Sequence, residues 1–325
     1  MVRSIVFRIL MVCSLLNAAA MGAFAGDQDL ALKAERVLFL GDSITHSGYY
    51  ISLIELELLR QSSDAMPEVI NLGLPSETAS GLSEPGHPFP RPNVHERLER
   101  ALEKLKPDVV VACYGMNDGI YHPFDEDRFE IYQTGINSLI EKVHNSGAKL
   151  ILLTPPPFDP LPLKMKGKLV SADADEFAYY SIYDKYDDVI KRYSDWILAQ
   201  KDRVEMVIDL HTPVTKFVAE KRKSDPEFVL SGDGVHLDQE GHRILAEAIL
   251  NAWGVKLSAE DDQSLEKLVH QRQMLWHAAY LSDVGHVRPG MNAGLPLDEA
   301  AAKAGELTKQ IDDQLAKTQA SENSQ

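Results

Sequence analysis

The chain has 325 residues, with 33 Lys and Arg against 49 Asp and Glu and a formal net charge of −16, which excludes a basic nucleic-acid footprint as a property of the whole surface. Hydrophobic residues at 44% and charged residues at 25% give the balance of a globular protein that buries a core, so wholesale disorder and a polytopic membrane protein are excluded as well. Length alone allows one large α/β domain with an appendage or two modest domains.

Residues 1–25 carry Arg3 and Arg8, an apolar run from Ile9 to Leu16 and the close Ala23-Phe24-Ala25. These are the three parts of a secretory signal with an A-x-A cleavage site, so Gly26 is the expected mature N-terminus and the periplasm or the extracellular space the expected destination. Ser14 and Asn17 interrupt the run and argue against an uncleaved anchor. Cys13 would leave with the signal and Cys113 would remain alone, which excludes an intrachain disulfide in the mature chain. The bulky Leu10-Met11-Val12 before Cys13 make it a poor lipoprotein site. An acidic exported surface keeps the chain soluble, gives anionic lipid no attraction and leads us to expect no stable membrane insertion after cleavage.

From Arg36 onward, short apolar runs recur at Val37–Leu40, Val69–Leu72, Val109–Cys113, Leu150–Leu153 and Val204–Ile208, each short enough for a strand buried on both faces. Helical patterns lie between them at about 49–62, 94–105, 128–145, 179–200 and 214–221. Regular βαβα order predicts a parallel sheet covered by helices, with functional loops at the carboxyl ends of the strands. The P-loop, G-x-G-x-x-G, G-x-S-x-G and H-E-x-x-H signatures are all absent, and the eleven histidines are scattered, so neither a cofactor nor a metal site is expected.

Three short blocks follow strands. Gly41-Asp42-Ser43-Ile44-Thr45 places Ser43 on a strand-to-helix turn, where its hydroxyl can be presented. Asn71-Leu72-Gly73 and Gly115-Met116-Asn117-Asp118 bring a glycine amide and an asparagine amide to neighbouring strand ends, the donor types that stabilise an oxyanion. A fourth block, Gly232-Asp233-Gly234-Val235-His236, opens the last helical pattern, and its Asp and His three apart can let the carboxylate fix the imidazole tautomer. Asp283 and His286 repeat that spacing but follow the last α/β element, so they rank lower.

Ser43, Gly73, Asn117, Asp233 and His236, in this order and over roughly residues 36–253, resemble the four blocks of the SGNH, or GDSL-type, hydrolases. The resemblance implies a flavodoxin-like three-layer α/β/α fold with a parallel five-stranded sheet, and ester hydrolysis without a cofactor. It further implies Ser43 as nucleophile, His236 as base and acid, Asp233 as its support, and the Ser43 and Gly73 N–H groups with the Asn117 side chain as the oxyanion hole. The second block departs from the common G-x-S-G continuation by reading Gly73-Leu74-Pro75-Ser76.

Asp42 and Asp118 are expected in structural turns, Cys113 as a buried hydrophobe, and His46 either at the entrance or exposed at a helix start. The irregular, Pro- and Gly-rich segment 76–93 with His87 and Arg91, together with Tyr121 and Phe124, is the expected source of substrate contacts. The hydrolase domain is expected at 26–254, with a helical extension over 255–325 built from helices near 262–281 and 297–318. Trp276, Leu275 and Tyr280 would pack its first helix on the body, while His286 and Arg288 are candidates to fold back over the cleft. A small acyl ester is the expected substrate, O-acetyl groups on carbohydrate in particular; a lipase or lysophospholipase and a non-catalytic envelope binding protein on the same fold stay open.

Overall fold

The computed structural model describes residues 28–61, 66–258 and 262–322, so the expected signal over 1–25 lies outside the described residues. Its strands are β1 (Arg36–Gly41), β2 (Glu68–Asn71), β3 (Val109–Cys113), β4 (Lys149–Leu153), β5 (Leu169–Val170), β6 (Ile182–Tyr183) and β7 (Met206–Ile208). The helices are α1 (Ser43–Ser47), α2 (Tyr49–Gln61), α3 (Leu98–Leu105), α4 (Glu126–Asn145), α5 (Leu161–Lys164), α6 (Tyr186–Leu198), α7 (His211–Lys221), α8 (Gln239–Ala252), α9 (Gln263–Val284) and α10 (Leu297–Glu322). Five strands form one parallel sheet in the order β2-β1-β3-β4-β7, and β5 pairs only with β6. This is the flavodoxin-like three-layer α/β/α arrangement, with its topological switch between β1 and β3, where ligands of such sheets gather.

Alternation along each strand feeds two cores. Leu38, Leu40, Val110, Ala112, Leu150 and Leu152 face the layer of α3, α4 and α6, where they meet Leu98, Tyr132, Ile136 and Tyr193. Val37, Phe39, Val109, Val111, Ile151 and Leu153 face α2, α7 and α8, where they meet Ile51, Ile54, Val214 and Ile249. With both faces covered, β3 is buried at every position, which is why its sequence reads as an unbroken apolar run.

Two helical expectations are corrected. The segment 94–105 splits into a 3-10 turn (Val94–Glu96) and α3, because Arg97 leaves helical geometry and drives its guanidinium into the core. There it donates to both oxygens of Glu77 at 2.7 and 2.6 Å and to the Leu72 carbonyl at 2.7 Å, and neither side chain has any exposed surface. The segment 179–200 becomes helical only at Tyr186; residues before it form β6 and a bridge between Ala178 and Ser181. The buried stripe Tyr186, Val189, Ile190, Tyr193 and Ile197 has helical spacing, and the exposed Tyr179 and Tyr180 do not extend it.

The extension lies along the sheet edge. Leu265 and Val269 of α9 pack with Leu56 of α2 and Ile311 of α10. Gln273 donates to the Val69 carbonyl at 3.0 Å and Tyr280 to Glu68 at 2.6 Å, so α9 covers the otherwise open edge of β2. Arg272 donates to the buried Glu55 at 2.9 Å. The packing face is thus Leu265, Val269, Arg272, Gln273 and His277; Leu275 and Trp276 are only half-buried, with Trp276 stacked on Tyr280. No helix among the described residues is long and apolar enough to cross a membrane.

Candidate active site

The four sequence blocks meet at the carboxyl ends of β1, β2 and β3 and at the loop before α8. Asp42 caps α1 by accepting the Ile44 N–H at 2.9 Å, which turns the chain so that Ser43 opens the helix half-exposed. Burial raises the Asp42 carboxyl to about 6. Its role in the geometry is that of the cap.

Ser43 Oγ lies 2.8 Å from His236 Nε2, and His236 Nδ1 lies 2.7 Å from Asp233 Oδ2. The second Asp233 oxygen accepts the N–H groups of Val235 at 3.0 Å and His236 at 2.9 Å and the Ser231 hydroxyl at 2.9 Å. Partial burial pushes the Asp233 carboxyl upward, but the His236 ring and these backbone donors outweigh it and hold the group well below the usual carboxylate range. The hydrogen bond to Asp233 raises the His236 imidazole above its ordinary value, against the opposing pull of burial. Asp283, by contrast, is paired with Lys104 at 3.0 Å, so the second Asp-His spacing forms no dyad.

Asn117 is buried and fully oriented. Its Oδ1 accepts the Tyr121 hydroxyl at 3.0 Å, and its Nδ2 donates to the Glu77 carbonyl at 3.1 Å, leaving the second amide hydrogen for a ligand. Ile120 (φ 43°) and Tyr121 (φ 62°) both adopt left-handed backbone conformations just after this block, the kind of local strain that gathers at functional sites. The Asp118 side chain reaches beyond its own turn: its Oδ1 accepts the Ala79 and Ser80 N–H groups at 2.9 and 2.8 Å and pins the irregular segment beside the site, while burial raises it to about 6.

Gly73 departs from its expected role. Its N–H already donates to Asn71 Oδ1 at 2.8 Å, so it does not face an oxyanion. The glycine is required instead by close packing, since a Cβ would fall 2.2 Å from His46 N and 2.5 Å from Thr45 C. Gly73→Ala is therefore expected to push α1 aside, destabilising the fold by roughly 1–3 kcal/mol and lowering turnover together with it; thermal melts and esterase assays on one preparation check this. In the departing second block, Ser76 stands where G-x-S-G has its last glycine and takes the left-handed φ of 68° that glycine would tolerate.

Other expected residues are distributed unevenly. Arg91 is buried in a two-pronged pair with Glu84 at 2.6 and 2.7 Å and lies 5.4 Å over the Tyr121 ring, so it braces the site wall. His87 bonds the Phe89 carbonyl on the rim. Phe124 packs under Arg192 and against Phe129, at the edge of the core. Arg288 does fold back, donating to the Pro75 carbonyl at 2.9 Å, whereas His286 stays in the neighbourhood of Arg97 and Arg288. Cys113 is buried, its thiol raised well above the ordinary range by burial. His46 turns from the entrance toward α9, 3.3 Å from His277 Nε2, which in turn donates to the Gly73 carbonyl at 2.8 Å. His277 lies 204 residues beyond Gly73 and has no local signal that could have announced the contact. Among the described residues no three His, Cys, Asp or Glu side chains cluster to hold a metal ion.

The sequence profile of the GDSL-like lipase/acylhydrolase family matches residues 39–244, which contain all four blocks. None of the curated proteins matches the chain. Among solved structures, a gut microbial diltiazem-metabolizing enzyme superposes with a TM-score of 0.53 at 22% identity, over 68% of this chain and 47% of its own, so this chain spans under half of that protein's length. A mutant of an acetyl-xylooligosaccharide esterase from Geobacillus stearothermophilus superposes with a TM-score of 0.51 at 20% identity, over 71% of this chain and 99% of its own. At such identities the likeness establishes the fold alone. With the profile covering most of the chain, the protein belongs to the GDSL-like lipase/acylhydrolase family.

Proposed function

We propose that the protein is a serine esterase that hydrolyses small acyl esters through an acyl-enzyme. The observation that carries this reading is the unbroken run of hydrogen bonds from Ser43 Oγ through His236 to Asp233. His236 Nε2 takes the Ser43 proton as Oγ bonds to the ester carbonyl carbon, then returns it to the departing alcohol oxygen. Water repeats the sequence on the acyl-enzyme, giving the free acid and regenerating Ser43. The Ser43 N–H and the remaining Asn117 amide hydrogen hold the transient oxyanion. Acetyl groups on carbohydrate are our choice of substrate, supported by the acetyl-xylooligosaccharide esterase that shares the fold and by the polar and aromatic rim.

Purified residues 26–325 are expected to hydrolyse p-nitrophenyl acetate faster than the octanoate and to release acetate from acetylated sugars. Octanoate preference would replace this substrate assignment with a lipid ester. We likewise propose that the chain is exported, and Gly26 as the first residue of the recovered mature protein checks it.

Asn117→Ala is expected to lower kcat by about 10²- to 10³-fold with the fold intact. Tyr121→Phe removes only the hydrogen bond that orients the amide and should cost roughly tenfold, in kcat with KM unchanged. Steady-state kinetics on p-nitrophenyl acetate separate the two, and an unchanged kcat in Tyr121→Phe would remove that residue from the positioning of Asn117.

A further inference from the structure

Tyr179 and Tyr180 are 48% and 50% exposed, and among the described residues no other Phe, Tyr or Trp is exposed. They continue a row. The ring centroids of Phe89 and His87 lie 4.6 Å apart, those of His87 and Tyr179 5.6 Å and those of Tyr179 and Tyr180 5.0 Å, while the Arg288 guanidinium sits 5.1 Å over Phe89. Each ring stands nearly perpendicular to the next, at 86°, 69° and 82°, so faces and edges alternate along the row.

The row is held in place and tied to the Ser43 site at two points. At one end Arg288 donates to the Pro75 carbonyl, two residues beyond the glycine that packs on α1. In the middle, the Tyr179 N–H reaches Glu84, Glu84 grips Arg91, and Arg91 lies over the Tyr121 ring whose hydroxyl orients Asn117. Gly86 has no side chain where a Cβ would fall 2.4 Å from the Tyr180 hydroxyl, so the two loops that carry the row approach closely. Two adjacent exposed tyrosines that continue a half-buried row of rings on a fixed frame are unusual on a solvated surface and mark a contact site. Rings that keep polar edges, as in Tyr and His, suit a ligand with apolar faces and a rim of hydroxyls.

We propose that the row Arg288, Phe89, His87, Tyr179 and Tyr180 is a binding platform for the sugar units of a glycan chain whose ester is presented to Ser43. The proposal rests on the esterase reading above and deepens it: the ester-bearing unit enters the Ser43 site, and neighbouring units lay their C–H faces on the aromatic rings. The arrangement favours an oligomer over a single sugar, because one unit cannot cover several successive rings.

The test uses the full mature chain and the double variant Tyr179→Ala, Tyr180→Ala, assayed on p-nitrophenyl acetate and on acetylated xylo-oligosaccharides from two to six units. The unaltered protein is expected to gain kcat/KM with chain length. The double variant should keep p-nitrophenyl acetate turnover within about twofold while losing roughly tenfold on the hexamer, mainly in KM, through the loss of two aromatic contacts. Equal losses on both substrates, or no dependence on chain length in the unaltered protein, overturn the platform. Calorimetry with Ser43→Ala and unesterified xylo-, manno- and N-acetylchito-hexasaccharides reads the platform apart from catalysis. Binding that Tyr179→Ala, Tyr180→Ala weakens supports the platform even where no ester is turned over, and failure of all three sugars to bind overturns it. Absence of Ser43-dependent turnover on every ester counts against the esterase reading alone.

Discussion

Ser43→Ala is expected to lower kcat on p-nitrophenyl acetate by about 10⁴- to 10⁶-fold, the range found when a nucleophile that works as a unit with its base is removed. The substitution deletes one half-exposed hydroxyl. The contacts that shape the turn belong to its neighbours: the Asp42 cap on Ile44, the approach of Gly73 to Thr45 and His46, and the Asn71 side chain on the Thr45 carbonyl. The fold should therefore survive, with a melting temperature close to that of the unaltered chain. The remaining rate would come from water attacking an ester carbonyl still polarised by the Ser43 N–H and Asn117. Rapid mixing should show a burst of nitrophenol in the unaltered protein if deacylation is the slower step, and none in the variant. Retention of activity within tenfold, with contaminating esterase excluded, would sink the assignment of Ser43.

Asp233→Asn should cost about 10⁴-fold in kcat, and it should move the pH profile as well. The carboxylate accepts from His236 Nδ1, which leaves Nε2 unprotonated and ready to take the Ser43 proton. An asparagine can turn its NH₂ toward the ring, so that Nδ1 becomes the acceptor and Nε2 carries the hydrogen, the wrong tautomer for a base. The sign of the pH effect follows from the same bond. In the unaltered protein Asp233 raises His236, and since only neutral imidazole can act as base, kcat/KM falls as pH drops through a midpoint above the ordinary imidazole value. Without the carboxylate, burial remains and lowers the imidazole. The acid limb of the residual activity should then shift to lower pH. A limb that stays in place would assign it to a group other than His236.

The legible parts of the sequence were those whose signal is local. A strand buried on both faces must be apolar at nearly every position, and β3 is. Ser43, Asp233 and His236 were legible because short blocks at strand ends set their own geometry, the Asp233-His236 pair within one loop and Asp42 within one cap. Gly73 was readable as necessary but not for the correct reason: a glycine required for close approach and a glycine that offers its N–H to a ligand are the same letter, and the hydrogen bond its N–H gives to Asn71 Oδ1 decides between them. Arg91 and Phe124 show a similar ambiguity. Each lies in a loop beside the site, yet one is engaged by Glu84 and the other by Arg192, partners chosen by the fold of irregular segments that carry no periodicity. The roles of Gln273 and His277 were beyond reach altogether, since a helix that meets a strand edge some two hundred residues earlier leaves no pattern in either segment.

That last contact bears on the order in which the molecule comes into being. The sheet, α1 and the Ser43 turn lie in the first part of the chain to be synthesised, and the profile shared with the family ends at residue 244. Yet the carbonyl of Gly73, the open side of β2 and the buried carboxylate of Glu55 receive their partners from Gln273, His277 and Arg272. Until those residues emerge, a nascent chain exposes an unpaired strand edge, which invites self-association. Closing contacts between such distant segments is also slow, because the chain entropy of the intervening loop is lost first. Hydrolytic activity should consequently appear late in refolding, after the bulk of the secondary structure, and translation that stops short of α9 should leave an inactive product for chaperones and proteases to dispose of.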